Sequence, residues 1–102
     1  MFLYEYIEIL KKYNPETKIR HGLGNPHSWR GAYEQLAFEP IENTTIGEML
    51  KIAESCVGKT FTGWKGGEFT MNLYTNIHID YQGCCTENEE MFFLIFNEIG
   101  IL

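Results

Sequence analysis

Two segments of the chain gather an unusual mixture of side chains: His27-Ser28-Trp29-Arg30-Gly31-Ala32-Tyr33 and Thr60-Phe61-Thr62-Gly63-Trp64-Lys65-Gly66-Gly67-Glu68-Phe69-Thr70. Each joins a tryptophan to a cation, to small hydroxyls and to glycine. Such a mixture suits the capture of a planar anion. Aromatic faces and arginine planes stack bases, at ~1–3 kcal/mol per base. Arginine and lysine meet phosphate oxygens, and glycine lets backbone N–H groups approach an anion closely. The candidate ligand-binding residues are therefore Ser28, Trp29, Arg30, Tyr33, Thr62, Trp64, Lys65, Gly66 and Gly67. Trp29, Tyr33 and Trp64 would stack or wall a base, Arg30 and Lys65 would meet phosphate, and Gly66 and Gly67 would offer main-chain amides. A plainer reading stands beside this one. Both indoles can be core, the glycines can serve turns alone, and Arg30 can pair with Glu34 or Glu39.

Other chemistries fit less well. Val57-Gly58-Lys59-Thr60 resembles the end of a phosphate-binding P-loop, but Ala53 stands where the first glycine belongs. The string also follows a predicted helix, whereas a P-loop precedes one. A metal site is not expected from spacing: His21 and His27 are six apart, His78 is remote, and adjacent Cys84-Cys85 lack the two-residue gap of a zinc knuckle. The histidines read as surface residues. Ser28 beside His27 is poor geometry for a triad, and nothing electropositive activates Cys56. No catalytic residue and no cofactor is assigned. The enzymatic alternative is a metal-independent phosphodiesterase using His21 and His27 as acid and base.

The elements that must position these segments follow from periodicity and punctuation. Leu3, Tyr6, Ile7, Leu10 and Tyr13 line one face of a predicted helix over Phe2–Tyr13, stopped by Asn14-Pro15. A second helix is predicted over Ile46–Val57, with Thr45 as N-cap, Glu48 completing a capping box, and Gly58 at C′. Short strands are predicted at Thr17–Arg20 and Leu36–Glu39, the latter closed by Pro40. Between them His21–Gly31 is too rich in glycine, asparagine and proline to read as a regular element. Asn76–Gln82 alternates as a strand, with Ile77, Ile79 and Tyr81 on one face and His78 and Asp80 on the other. Gly83–Glu90 reads as an acidic loop, and Phe92–Phe96 leans to strand. The whole predicts one α+β domain over 1–102: two helices packed on a short, mostly antiparallel sheet with glycine-rich loops.

Bulk properties narrow the function. A hydrophobic fraction of 44% with 15% aromatics argues for a packed core rather than disorder. The net charge of −6 repels polyanions, so duplex DNA and long RNA are not expected partners. Lys11, Lys12, Lys18, Arg20 and Arg30 nonetheless stand together against Glu16 alone, so a small anion can be held locally. Glu5 and Glu8 interrupt the N-terminal apolar residues, and no apolar run reaches the ~18 residues a membrane helix needs. Three cysteines without framework spacing suit reduced thiols. These features predict a cytoplasmic protein. A domain of this size buries a modest share of its surface, so self-association would add buried area.

The strings Pro26-His27-Ser28-Trp29-Arg30-Gly31, Leu36-Ala37-Phe38-Glu39-Pro40 and Gly63-Trp64-Lys65-Gly66-Gly67 resemble a family of small phage-encoded proteins, over roughly residues 18–82. In size and nonenzymatic look the chain is similar to phage sponge proteins, which sequester cyclic nucleotides used in antiphage signalling (anti-CBASS proteins among them). That resemblance implies a homo-oligomer in the host cytoplasm that holds a cyclic dinucleotide, such as cyclic GMP–AMP, without cleaving it. A third reading is a protein-interaction module that blocks a host factor through aromatic surface and acidic tail.

Overall fold

The computed structural model describes residues 1–81 and 84–86. They form an α+β domain in the order α1 (Leu3–Lys11), β1 (Lys18–Trp29), β2 (Ala32–Thr45), α2 (Ile46–Ser55), β3 (Thr60–Thr62), β4 (Glu68–Thr70), β5 (Ile77–Tyr81) and β6 (Cys84–Thr86). The main sheet runs β1-β2-β5-β6, and β3-β4 form a separate hairpin. Pairing is antiparallel except between β2 and β5, which run parallel. A parallel neighbour demands a crossover, and α2 with the β3-β4 hairpin supplies it. No helix among the described residues is long and apolar enough to cross a membrane.

Both helices lie on one face of this sheet. Leu3, Tyr6 and Leu10 of α1 and Ile46, Met49 and Ala53 of α2 meet Leu36 and Phe38 of β2 and Ile77 and Ile79 of β5, all buried. The Tyr6 and Phe38 rings sit 5.5 Å apart at the centre. Each fully buried large side chain stabilises the fold by about 1.5–3 kcal/mol. Thr45 caps α2 as its sequence implies, its hydroxyl accepting the Glu48 N–H at 3.1 Å. The second half of the capping box is not made. The Glu48 carboxylate instead accepts from the buried Thr44 hydroxyl at 2.8 Å. Gly58 takes the left-handed backbone (φ +78°) two residues beyond the Cys56 C-cap, and its N–H donates to the Met71 carbonyl.

The strands depart most from expectation. The predicted strands Thr17–Arg20 and Leu36–Glu39 are the ends and middle of one long hairpin. Its ladder runs from Lys18↔Thr45 to Trp29↔Ala32 across the stretch that reads as turns. Two irregularities absorb the turn-forming residues. Between Gly24↔Glu39 and His27↔Ala37, Asn25 and Pro26 oppose Phe38 alone, a bulge in which Asn25 takes φ 45°. Between Ser28↔Leu36 and Trp29↔Ala32, Tyr33–Gln35 stand without opposite partners. Pro40 does not end β2. It lies beyond the Leu36–Phe38 stretch where β5 pairs, so its missing N–H costs no bond to that strand. The acidic loop expected at Gly83–Glu90 contains β6, and Phe92–Phe96 lies outside the described residues.

Candidate functional site

Arg30 and Gly31 form the two-residue tip of the β1-β2 hairpin, between the paired Trp29 and Ala32. Trp64 and Lys65 sit in the tip of the β3-β4 hairpin, closed by Gly66 N–H to Gly63 carbonyl and Gly63 N–H to Gly67 carbonyl bonds, both 3.0 Å. Gly66 and Gly67 adopt φ +90° and +85°, which side chains rarely take. The two tips meet. The Arg30 guanidinium carbon lies 4.2 Å from the centroid of the Trp64 ring. Behind this contact, Tyr33 and Phe69 pack edge to face at 6.0 Å. Gly63 is buried against both rings, where a Cβ would come within 3.0 Å of Phe69 and 3.2 Å of Tyr33.

Arg30, Tyr33, Trp64 and Lys65 thus share one end of the molecule. Trp64 is 58% exposed, and Arg30, Lys65 and Thr62 are exposed beside it. A guanidinium already held over an indole face is placed for an anion at little further entropic cost. The geometry corrects three other assignments. Trp29 is 8% exposed and stacks on His78, centroids 3.6 Å apart and planes 14° apart, so its face is occupied by a protein ring. The Ser28 hydroxyl is buried and donates to the Tyr33 carbonyl at 2.6 Å, so it has no proton left for a ligand. The Gly66 N–H is spent inside its own turn.

A second group of polar residues escaped the spacing arguments. On the sheet face opposite the helices, His27 of β1, Glu39 of β2 and Asp80 of β5 bring one ligand atom each within 4.8 Å of one another. The Asn25-Pro26 bulge puts His27 there. Were Asn25 and Pro26 paired one to one in an unbroken ladder, His27 would oppose Leu36 and point at the helices; with the bulge, His27 pairs Ala37, on Glu39's face. Nearby, His78 is buried, and its Nε2–H donates to the Gln35 side-chain carbonyl. The histidines are therefore not surface residues: His78 is 6% exposed and the His27 side chain 27%. His21 and His27 are six residues apart along β1, roughly 15–20 Å of strand, which gives no support to their acting on one phosphate. The visible signal for the second group was the His78/Asp80 face of the predicted strand.

No protein-family model, curated protein or solved structure matches this chain. The residues therefore carry the functional reading. A concavity of about 500 Å³ lies at the far, open end of the β1-β2 hairpin, lined by Lys18, Ile19, Arg20, Asn43, Thr44 and Thr45. It has cations and hydroxyls but no aromatic face among the residues lining it, so it lacks the stacking half of a nucleotide site. Cys56 is buried, its thiol donating to the Ile52 carbonyl at 3.3 Å. Burial pushes that thiol up to about 11, despite the nearby Lys59. It is a core residue, not a nucleophile.

Proposed function

We propose that the joined hairpin tips bind a small anionic nucleotide without cleaving it. The observation that carries this is the Arg30 guanidinium lying 4.2 Å over the ring of a tryptophan that is 58% exposed. Trp64 and Tyr33 supply aromatic surface, Arg30 and Lys65 supply charge for phosphate, and Thr62 supplies a hydroxyl. The cluster of cations in an acidic chain supports a small anion over a nucleic acid. By the resemblance above, the ligand is a cyclic dinucleotide of antiphage signalling, and the protein is a phage sponge acting in the host cytoplasm as a homo-oligomer. Calorimetry against cyclic and linear nucleotides tests it, with chromatography of the recovered ligand. The expected result is saturable binding, intact ligand, and loss of binding in Arg30→Ala and Trp64→Ala. Absence of heat with every nucleotide at micromolar protein ends the proposal.

A second reading has its own observation. Phe2, Leu73 and Tyr74 are 37%, 43% and 73% exposed, and the rings of Phe2, Tyr4 and Tyr74 contact one another. An aromatic patch of this kind favours a protein contact. It serves either the self-association proposed above or a host factor. Sedimentation of the protein alone and a host-lysate pull-down separate the two. Dimers lost in Tyr74→Ala favour self-association, and a stoichiometric host protein retained by monomers favours the interaction module.

A further inference from the structure

We propose that His27, Glu39 and Asp80 form a site for one divalent first-row transition cation on the sheet face opposite the helices. This goes beyond the nucleotide reading and does not depend on it. Three strands converge on the site: the β1 bulge turns the imidazole to this face, and the parallel β2-β5 register sets Glu39 next to Asp80. Gly24, paired with Glu39, places no side chain there.

The proton inventory points to a cation. His27 Nδ1 lies 2.9 Å from the Ser28 carbonyl oxygen. A carbonyl only accepts, so Nδ1 carries the hydrogen. In the neutral ring Nε2 is then a bare lone pair, and it faces Asp80 Oδ2 at 3.2 Å. Two lone pairs at that distance repel unless a positive charge joins them. A second ring proton is one solution, but it leaves two carboxylates against a single imidazolium. The Asp80 side chain is only 11% exposed, and its Oδ1 is buried with no hydrogen-bond partner among the described residues. Uncompensated charge there is costly. A dication with neutral His27 balances both carboxylates and gives Oδ1 or Oδ2 a partner.

The His27–Asp80 distance suits such an ion, and the Glu39 ligand atom lies within 4.8 Å of both. Ligands about 2.1 Å from a shared metal lie roughly 3.0–3.4 Å apart at octahedral or tetrahedral angles, which brackets the 3.2 Å observed. The Nδ1–H to carbonyl bond is also the usual outer contact that orients a metal-binding imidazole. One imidazole with two carboxylates selects Mn²⁺, Fe²⁺ or Zn²⁺ over thiophilic ions, and the nitrogen ligand disfavours Ca²⁺ and Mg²⁺. Three protein ligands leave positions open for water or an anionic oxygen.

The test uses the full chain, stripped with chelator and titrated with Mn²⁺ by electron paramagnetic resonance. Mn²⁺ avoids thiolates, so the cysteines do not compete. The expected result is one Mn²⁺ per chain, displaced by one Zn²⁺. Asp80→Asn and His27→Gln each weaken Mn²⁺ binding by about tenfold or more, and Mn²⁺ raises the melting temperature of the wild type more than that of either variant. Circular dichroism confirms that each variant is folded, and the wild-type titration stands whether or not they are. No saturable Mn²⁺ binding by the wild type, or undiminished binding by both folded variants, overturns the site.

Discussion

Replacing Gly31 with alanine probes the packing behind the hairpin tip. A Cβ at this position would stand 2.7 Å from Trp29 Cη2 and Cζ2 and 2.9 Å from Cε2, about 0.5–0.7 Å or more inside ordinary contact. The indole cannot swing freely away, because His78 is stacked on it at 3.6 Å and is itself tied to Gln35. The strain therefore falls on the ring stack or on the two-residue turn. Overpacking of this kind costs ~1–3 kcal/mol, and a middle value of about 2 kcal/mol lowers the melting temperature by roughly 8–16 °C in a domain of this size. Thermal melts followed by circular dichroism measure it. The companion variant is Trp29→Phe, whose shorter ring lacks the benzo atoms that collide. In that background Gly31→Ala should cost less than about 0.5 kcal/mol, a coupling readable from the double-mutant cycle. A Gly31→Ala protein melting within about 2 °C of wild type would refute the reasoning, as would an equal penalty in both backgrounds.

Four further outcomes follow from the same geometry. Acrylamide quenching should resolve two tryptophans, Trp64 at 58% exposure and Trp29 at 8%, and Trp64→Phe should leave only the protected one; a quenchable signal surviving in that variant contradicts this arrangement of the tips. Thr45→Ala removes the acceptor for the Glu48 N–H and should destabilise the protein by about 1 kcal/mol in urea unfolding. Gly22→Ala drives a Cβ to 2.6 Å from Thr44 Cγ2 and 2.9 Å from Met49 Sδ, so it should cost ~1–3 kcal/mol by prying α2 off the hairpin; a neutral result would mean that α2 sits elsewhere. Above pH 9 the unfolded chain releases the Cys56 proton while the fold holds it to about 11, so the unfolded state binds fewer protons and stability falls as pH rises through that window. Burial raises the Tyr6 hydroxyl as well, and Cys56→Ala should flatten the early part of the alkaline loss in melts between pH 8 and 11.

Local signals made parts of this fold legible. The apolar stripe and Thr45 cap locate α2 within two residues, because a helix makes its bonds with its own neighbours. The alternation of Ile77 and Ile79 locates β5 for a similar reason: one face had to be buried. The long hairpin was not legible. Gly22, Gly24, Asn25 and Pro26 have turn chemistry, and only the partner strand's ladder holds them extended. For the candidate site, residue types pointed to stacking and anion capture, and the structure brings Arg30 to Trp64. Which indole stays exposed was hidden, since Trp29's burial depends on His78, 49 positions away. The His27–Glu39–Asp80 group was invisible to ligand spacing because each member comes from a different strand.

The Asn25-Pro26 irregularity makes the outer face of the sheet depend on counting. Pairing Asn25 and Pro26 one to one with Phe38 and Ala37 would keep every side chain named above, yet turn the imidazole inward onto Leu36 and leave Glu39 and Asp80 facing each other alone. The same vocabulary of residues can therefore lose the arrangement through parity. Removing either residue instead takes out the bulge and keeps His27 opposite Ala37, so a one-residue deletion here should spare this surface where a straightened ladder would destroy it.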